Sequence, residues 1–398
     1  MRILIIQETD WIHRGPHNQH HLFERLSLDP RNEITVLDYD MDQREAASRF
    51  LVPRFETRDV HRVMKDSQIR IVRSPRFKHR LLSRPSALFF DAFTLLGLIK
   101  KHRPHAIVNY AMSNGFLGLL YAKLFGIRFI FHYIDNLHEL VPHPVFTIIA
   151  RYITRIALRN ADRVLIHNQV HRDFLKREGV PDDRIEILRT GITPSDWNPD
   201  PRVVAGIENR LGIQASDFVI FFMGFLYDFA GLQEIIDRYN DDVKAGRISL
   251  KFIILGDGGI YEQLKQHVKA LGADWVLMIG RVPYFDVPAY LALADLGLLP
   301  FKLNKITKEC APIKIYEHMA LKKPTLAVKL PGIYSDIGEG NGVIFMKDQQ
   351  ALIEEIGHLA GQKSMLEKIG MQGYEFVQQN LIWKTIVAKL ARVLRGNL

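Results

Sequence analysis

The chain has 398 residues, long for one domain and suited to two, with 47% hydrophobic and 24% charged residues, the values of an ordinary globular protein. Its one cysteine, Cys310, excludes an intramolecular disulfide and points to a reducing compartment. The net charge of +9 is uneven: residues 1–200 carry 30 Lys and Arg against 23 Asp and Glu, a bias that fits an anionic surface or a phosphorylated acceptor, while no zinc-finger, RNA-binding or basic-zipper pattern supports a nucleic-acid partner.

Met1–Asp10 has too short an apolar run for a signal peptide and reads as a first strand. No window holds about 18 uninterrupted apolar residues, so a spanning helix is not expected. The most apolar stretch, Gly115 to His132, is broken by Lys123, Gly126 and Arg128. A cytoplasmic protein, soluble or peripheral on the membrane, is predicted. Short β-branched runs then alternate with longer helical patterns, the signature of parallel sheets in an α/β fold. In the first half, strands are predicted at Ile3–Gln7, Ile34–Asp38, Gln68–Arg73, Ala106–Tyr110, Phe129–Tyr133, Arg163–His167 and Ile185–Leu188. Helices are predicted at Gln19–Leu28, Ser86–Lys101, Gly115–Phe125, Val145–Arg159 and Val170–Glu178. Ile192–Pro201, with three prolines, reads as an interdomain linker. The second half starts afresh with a strand at Phe218–Met223, followed by strands at Leu250–Leu255, Trp275–Ile279, Leu296–Leu299, Thr325–Val328 and Gly342–Phe345. Its helices are predicted at Gly231–Tyr239, Ile260–Ala270, Asp286–Ala294, Gln350–Leu359, Lys363–Gln379 and Ile382–Arg395.

The segment Lys308–Ala320 is the most informative. It places Glu309 before a predicted helix, Pro312 in its first turn, Lys314 one turn in and Glu317 beyond. Proline lacks an N–H and has a helix-like φ, so it suits a helix start. The free backbone N–H groups there, around Ile313, and the positive end of the helix dipole suit a diphosphate. Glu309 and Glu317 bracket that position and could accept hydrogen bonds from sugar hydroxyls. The same spacing also describes an amphipathic helix with solvated charges over a core of Ile315, Tyr316 and Met319. A second element, Ile253–Gly259, is a strand ending in a glycine turn, where Gly256 and Gly258 would let a ligand approach the backbone; ordinary turn chemistry explains such glycines equally well.

With Gly280-Arg281-Val282-Pro283, Lys322-Lys323-Pro324, Asn341-Gly342 and Trp383 following in order, the chain resembles the retaining glycosyltransferases of family 4 over nearly its whole length. The most specific part of the match is the Glu-x7-Glu element at Glu309 and Glu317. The resemblance implies an α/β protein of GT-B architecture, two Rossmann-like domains with parallel sheets facing a central cleft. It implies an acceptor-binding domain over 1–195, a nucleotide-sugar-binding domain over 196–378, and a tail helix over 379–398 that crosses back to the first domain. The implied reaction is retaining, metal-independent sugar transfer from a nucleotide-sugar donor to a glycan, lipid-linked or small-molecule acceptor, without a cofactor. Glu309 would hold the sugar hydroxyls, Glu317 the ribose hydroxyls, and Arg281 would lie near the base. In the first domain the resemblance places the loop of His13, Gly15 and His17, and His132 or Asp135, beside the acceptor and transferred sugar.

The family's usual Arg/Lys pair after Gly224 is replaced by Phe225 and Ala230, leaving Asp228 and Tyr227 to face the sugar. That departure keeps open an unusual donor, a GT-B-fold epimerase or hydrolase, or a catalytically weakened binding subunit. Two further clusters stand out. His17 and His21, four residues apart, could share a helix face as metal ligands, but no third ligand is visible and no metal is predicted. Arg70, Arg73, Arg76, Lys78, Arg80 and Arg84, and separately Arg151, Arg155 and Arg159, could seat on an anionic membrane or form solvated faces.

Overall fold

Strand Arg2–Ile6 shows how the first half is built. Leu4 and Ile6 enter one core, Ile3 and Ile5 the other, so a continuous apolar run is buried on both faces, as a central parallel strand requires. The computed structural model describes residues 1–13, 16–40, 50–79, 82–134, 144–309 and 313–396. The sheet runs in spatial order Ile185–Ile187, Arg163–Ile166, Arg128–His132, Ala106–Asn109, Arg2–Ile6, Glu33–Leu37, Ile69–Arg73 and Phe55–Thr57. All pairings are parallel except the last. Helices Ser83–His102, Ser113–Phe125, Pro144–Asn160 and Gln169–Arg177 cover one face, contributing Leu95, Leu119, Ala157 and Leu175 to its core. Helices Asn18–Ser27 and Trp383–Arg395 cover the other, through Phe23, Leu26, Trp383 and Leu390.

The second half forms a six-stranded, all-parallel sheet in the order Val276–Gly280, Leu250–Leu255, Phe218–Met223, Leu296–Leu299, Thr325–Val328, Val343–Met346. This is the doubly wound order, in which successive connections run outward from the first strand in opposite directions. A crevice opens where the order reverses, outside the carboxyl ends of the strands. In this unit the reversal lies between Phe218–Met223 and Leu296–Leu299; in the first it lies between Arg2–Ile6 and Ala106–Asn109.

The chain divides into two compact units, Met1–Thr190 with Trp383–Leu398, and Gly191–Ile382. The junctions fall at 190/191 and 382/383, where the sequence reading set 195/196 and 378/379. Within the first unit the last helix is tied down by His21, whose ring stacks on Trp383 at 5.0 Å, and by Lys389 Nζ donating to the Ile187 carbonyl at 2.7 Å. Within the second unit Ile192 bridges to Ile382, so the segment read as a linker is already part of that unit. Pro201, taken as the linker's end, opens helix Pro201–Leu211: Asp200 caps it by accepting from Arg202 N at 2.8 Å, and Gly212 closes it at φ +63. Three short strands were not predicted, Leu51–Val52, Phe55–Thr57 and Arg76–Phe77. They pair antiparallel over two or three residues, too few for a period-two signal.

Candidate functional site

At the switch point of the second unit, three glycines replace side chains with exposed backbone. Gly224, Gly256 and Gly258 follow the neighbouring strands Phe218–Met223 and Leu250–Leu255 at φ of +134, +136 and +132, a region L-residues rarely adopt. A Cβ on Gly256 would overlap the Gly224 carbonyl oxygen, and one on Gly224 would overlap the ammonium of Lys314. The Lys314 side chain therefore crosses directly over the glycine turn. Its Nζ also lies 5.6 Å and 5.4 Å from the Phe222 and Phe301 ring centroids, within cation–π range. A cation, bare backbone and a switch-point crevice coincide here.

Lys314 opens helix Lys314–Ala320, with Ile313 at its N-cap position. Pro312, the predicted helix opener, lies outside the described residues, as does Cys310. Glu309 ends the 3-10 turn Thr307–Glu309; its side chain is outside the described set. Glu317 sits one turn after Lys314 and is buried, accepting from the Tyr284 hydroxyl at 3.2 Å. Burial pushes its carboxyl up to about 7, against the opposing pull of Tyr284 and Lys314. Arg281 is exposed, with Nε 3.7 Å from Asp257 in the glycine turn. Asp228 is exposed at the start of turn Asp228–Ala230, one carboxylate oxygen accepting from Phe229 N at 2.8 Å.

The departures at 225 and 230 have a structural counterpart. Ala230 is fully buried. Phe225 packs over Gly258, where a Cβ would come within 2.7 Å of its ring. Phe225, Tyr227, Phe229 and Phe301 form a ladder of rings, with successive centroids 4.6, 4.6 and 5.5 Å apart. Where the family pattern has two cations, this chain has an aromatic wall beside one lysine.

In the first unit, His132 ends strand Arg128–His132, buried next to the switch point. Its Nδ1 lies 2.7 Å from the Tyr110 hydroxyl and its ring 5.2 Å from that of His167. Burial, then His167, drives its pKa well down, so the ring is neutral. Among the described residues Nε2 has no hydrogen-bond partner. Asp135 lies outside the described residues, as does Gly15. His13 and His17 are exposed. His17 precedes helix Asn18–Ser27, its N–H donating to His20 Nδ1 at 2.9 Å. His21 is engaged by Trp383 and Arg25, and no group of three metal-binding side chains occurs among the described residues.

Sequence reasoning missed what holds the His13 loop. Arg73, read as part of a basic surface cluster, is buried and bridges Asp10 and Asp38, at 2.6 Å each. Asp10 in turn accepts from Ile12 N and His13 N at 2.9 Å, and Asp38 from Trp11 N at 3.0 Å. Arg76 is likewise buried against Asp40 at 2.9 Å. Arg73 builds the loop, and both arginines are buried rather than turned to a surface. Tyr284 and His318 were also missed. His318 is buried, its Nδ1 3.0 Å from Thr325 Oγ1, and its ring fills the space left by Gly297 in the next strand. That mid-strand glycine was the only signal, since glycine inside a strand marks a close approach.

Comparison with known proteins gives these features a family. The model for "Glycosyl transferases group 1" matches residues 206–376, and that for "Glycosyltransferase Family 4" matches residues 40–196. A GDP-mannose-dependent alpha-(1-6)-phosphatidylinositol monomannoside mannosyltransferase of Mycolicibacterium smegmatis is 24% identical over 253 residues; the match covers 61% of this chain and 66%, just under two thirds, of that one. Among solved structures, Anabaena Alr3699/HepE in complex with UDP superposes with a TM-score of 0.74 at 16% identity, over 100% of both chains. Sucrose-phosphate synthase from Thermosynechococcus elongatus superposes with a TM-score of 0.76 at 14% identity, over 99% of this chain and 98% of that one. The two family models adjoin along the chain and the fold agrees throughout: the chain belongs to the group 1, family 4-like glycosyltransferases of the GT-B fold.

Proposed function

We propose that this protein moves a sugar from a nucleotide-sugar donor to an acceptor with retention of anomeric configuration and without a metal ion. The observation that carries the reading is Lys314 lying across Gly224 at the switch point, with Gly256 beside it. The donor diphosphate rests on the bare backbone of the glycine turn, with the Lys314 ammonium supplying the positive charge that a divalent cation supplies elsewhere. Glu317 accepts from the ribose hydroxyls and Glu309 from those of the sugar. Arg281, beside the turn, borders the base. The aromatic wall of Phe225 and Tyr227 stacks on the donor where the family pattern has cations. Binding of UDP by the Anabaena protein and use of GDP-mannose by the mycobacterial one support a nucleoside diphosphate as the common element.

His132 contributes a neutral imidazole. In the tautomer whose Nδ1 accepts from the Tyr110 hydroxyl, Nε2 carries the proton and is a buried hydrogen-bond donor within the first unit. The departing phosphate takes the acceptor's proton, so no carboxylate nucleophile is required. The test is calorimetry with UDP, GDP and ADP, each in the presence of excess EDTA. One of them should bind, and Lys314→Ala should weaken it roughly tenfold or more, the size of a lost charge-assisted hydrogen bond. Binding that needs a divalent cation, or that ignores Lys314, overturns the reading. Product analysis with the donor that binds separates transfer from hydrolysis or epimerisation.

A further inference from the structure

A second site lies at the amino-terminal ends of the first unit's strands, the end of the sheet opposite its switch point. Met1, His105 and Arg128 stand at the starts of strands Arg2–Ile6, Ala106–Asn109 and Arg128–His132, and all three line a cavity of about 850 Å³. That volume is within the usual range for small-molecule sites. Lys100, Arg103, Arg128 and Arg395 surround it, and no carboxylate lines it. Among the described residues none of these four cations has an ion-pair partner. Elsewhere the fold pairs its arginines. Arg73 bridges Asp10 and Asp38, Arg151 and Arg155 meet the Glu178 carboxylate, and Arg159 donates to the Glu178 carbonyl at 2.7 Å.

Helix dipoles account for only part of this charge. Helices Ser83–His102, Ser113–Phe125 and Trp383–Arg395 all end at the cavity, and cations favour helix carboxyl ends. Each end carries roughly half a negative charge, so the three together offset fewer than two of the four cations. The arginines are also held there against local preference. Arg103 caps helix Ser83–His102 at φ +44, a left-handed conformation where glycine is usual and other L-residues are strained. Arg128 Nε is shut off from solvent and has no acceptor among the described residues. The Arg128 guanidinium rests on Gly396, at φ +85, where a Cβ would overlap Nη1. A glycine thus makes room for a cation here, as Gly224 does for Lys314. His105 adds a donor: its Nδ1 accepts from Arg2 N at 3.1 Å, which leaves the ring proton on Nε2.

We propose that this cavity binds a soluble di- or triphosphate ester. Its phosphoryl oxygens engage the Arg103 and Arg128 guanidinium groups, the orphaned Nε included, and the Lys100 ammonium. Its organic part lies on Ile99, Ile127 and Leu394. Ile99 and Leu394 are buried while Lys100, Arg103 and Arg395 are exposed, so the charges form the rim and the apolar atoms the floor. A surface that seats in a bilayer has the reverse relief, with apolar side chains projecting past the charges. The inference stands apart from sugar transfer, because it involves neither switch point.

The test is calorimetry of the full chain with tripolyphosphate and with ATP at about 0.15 M salt. Both should bind to the Lys314→Ala protein as well as to the wild type, which separates this cavity from the proposed donor site. Arg103→Gly removes the guanidinium and the backbone strain together. It should weaken tripolyphosphate about tenfold while the melting temperature holds or rises, a combination that a purely structural arginine would not give. Arg128→Gln should weaken it by a similar factor. No binding of either probe at that salt, unchanged affinity in both arginine variants, or a loss of tripolyphosphate binding in Lys314→Ala alone overturns the proposal. Binding confined to anionic phospholipid vesicles, with neither soluble probe bound, overturns it as well.

Discussion

Alanine at position 224 would disturb the donor site in two ways that the structure lets one separate. Gly224 holds φ +134, and an L-residue forced there stores about 1–3 kcal/mol of strain. The added Cβ would overlap Lys314 Nζ, but that atom ends a flexible side chain and can swing aside. The fold should therefore survive with a loss confined to the strain. Displacing the ammonium from the phosphates removes about 1.5–3 kcal/mol of charge-assisted bonding, roughly 10- to 150-fold in Kd. Gly256→Ala supplies the contrast. Its Cβ meets the Gly224 carbonyl, and backbone cannot rotate away, so folding itself should suffer. Gly206→Ala is the control: it lies in helix Pro201–Leu211 with nothing within 4 Å of an added Cβ, and should gain up to about 1 kcal/mol. Urea denaturation reports stability, and calorimetry with UDP and GDP reports affinity. A folded Gly224→Ala protein that binds nucleoside diphosphate like the wild type refutes the placement of phosphate under Lys314.

Glu317 makes stability depend on pH. Its folded pKa of about 7 exceeds the ordinary 4.5, so the folded state holds a proton that the unfolded state releases between those values. Stability then falls as pH rises through that window, by roughly 3 kcal/mol once pH exceeds 7. Glu317→Gln should flatten the dependence and be the more stable form at pH 8; parallel curves for both proteins would contradict the buried carboxyl. Hydroxyls donating to Glu317 favour its ionised form, so nucleotide binding near pH 6.5 should release protons, read as a buffer-dependent calorimetric heat. Arg73→Met leaves Asp10 and Asp38 buried without their cation and should destabilise the first unit by about 3–5 kcal/mol; a loss under 1 kcal/mol in denaturant would dismiss the triad as a support. Trp383→Ala empties a buried site stacked on His21 and should lose about 3–5 kcal/mol in the same assay, while nucleotide affinity stays unchanged.

Local periodicity carried most of the fold, because fully buried parallel strands write themselves as unbroken apolar runs such as Phe218–Met223 and Leu250–Leu255. The Glu-x7-Glu spacing and the glycine turn were equally legible, since each depends on residues a few positions apart. What the sequence could not show was which distant partners each charge finds. Arg73 looked like its neighbours in a basic run until Asp10 and Asp38, 63 and 35 residues away, closed around it. The arginines of Pro144–Asn160 looked free until Glu178, at the end of the next helix, gathered them. Lys314 was assigned to phosphate from its place in a helix, yet only the tertiary structure set it over Gly224, ninety residues earlier. Side-chain type and spacing decide which elements form; the partner of a long charged side chain is settled by the packing of the sheet and helices that carry it.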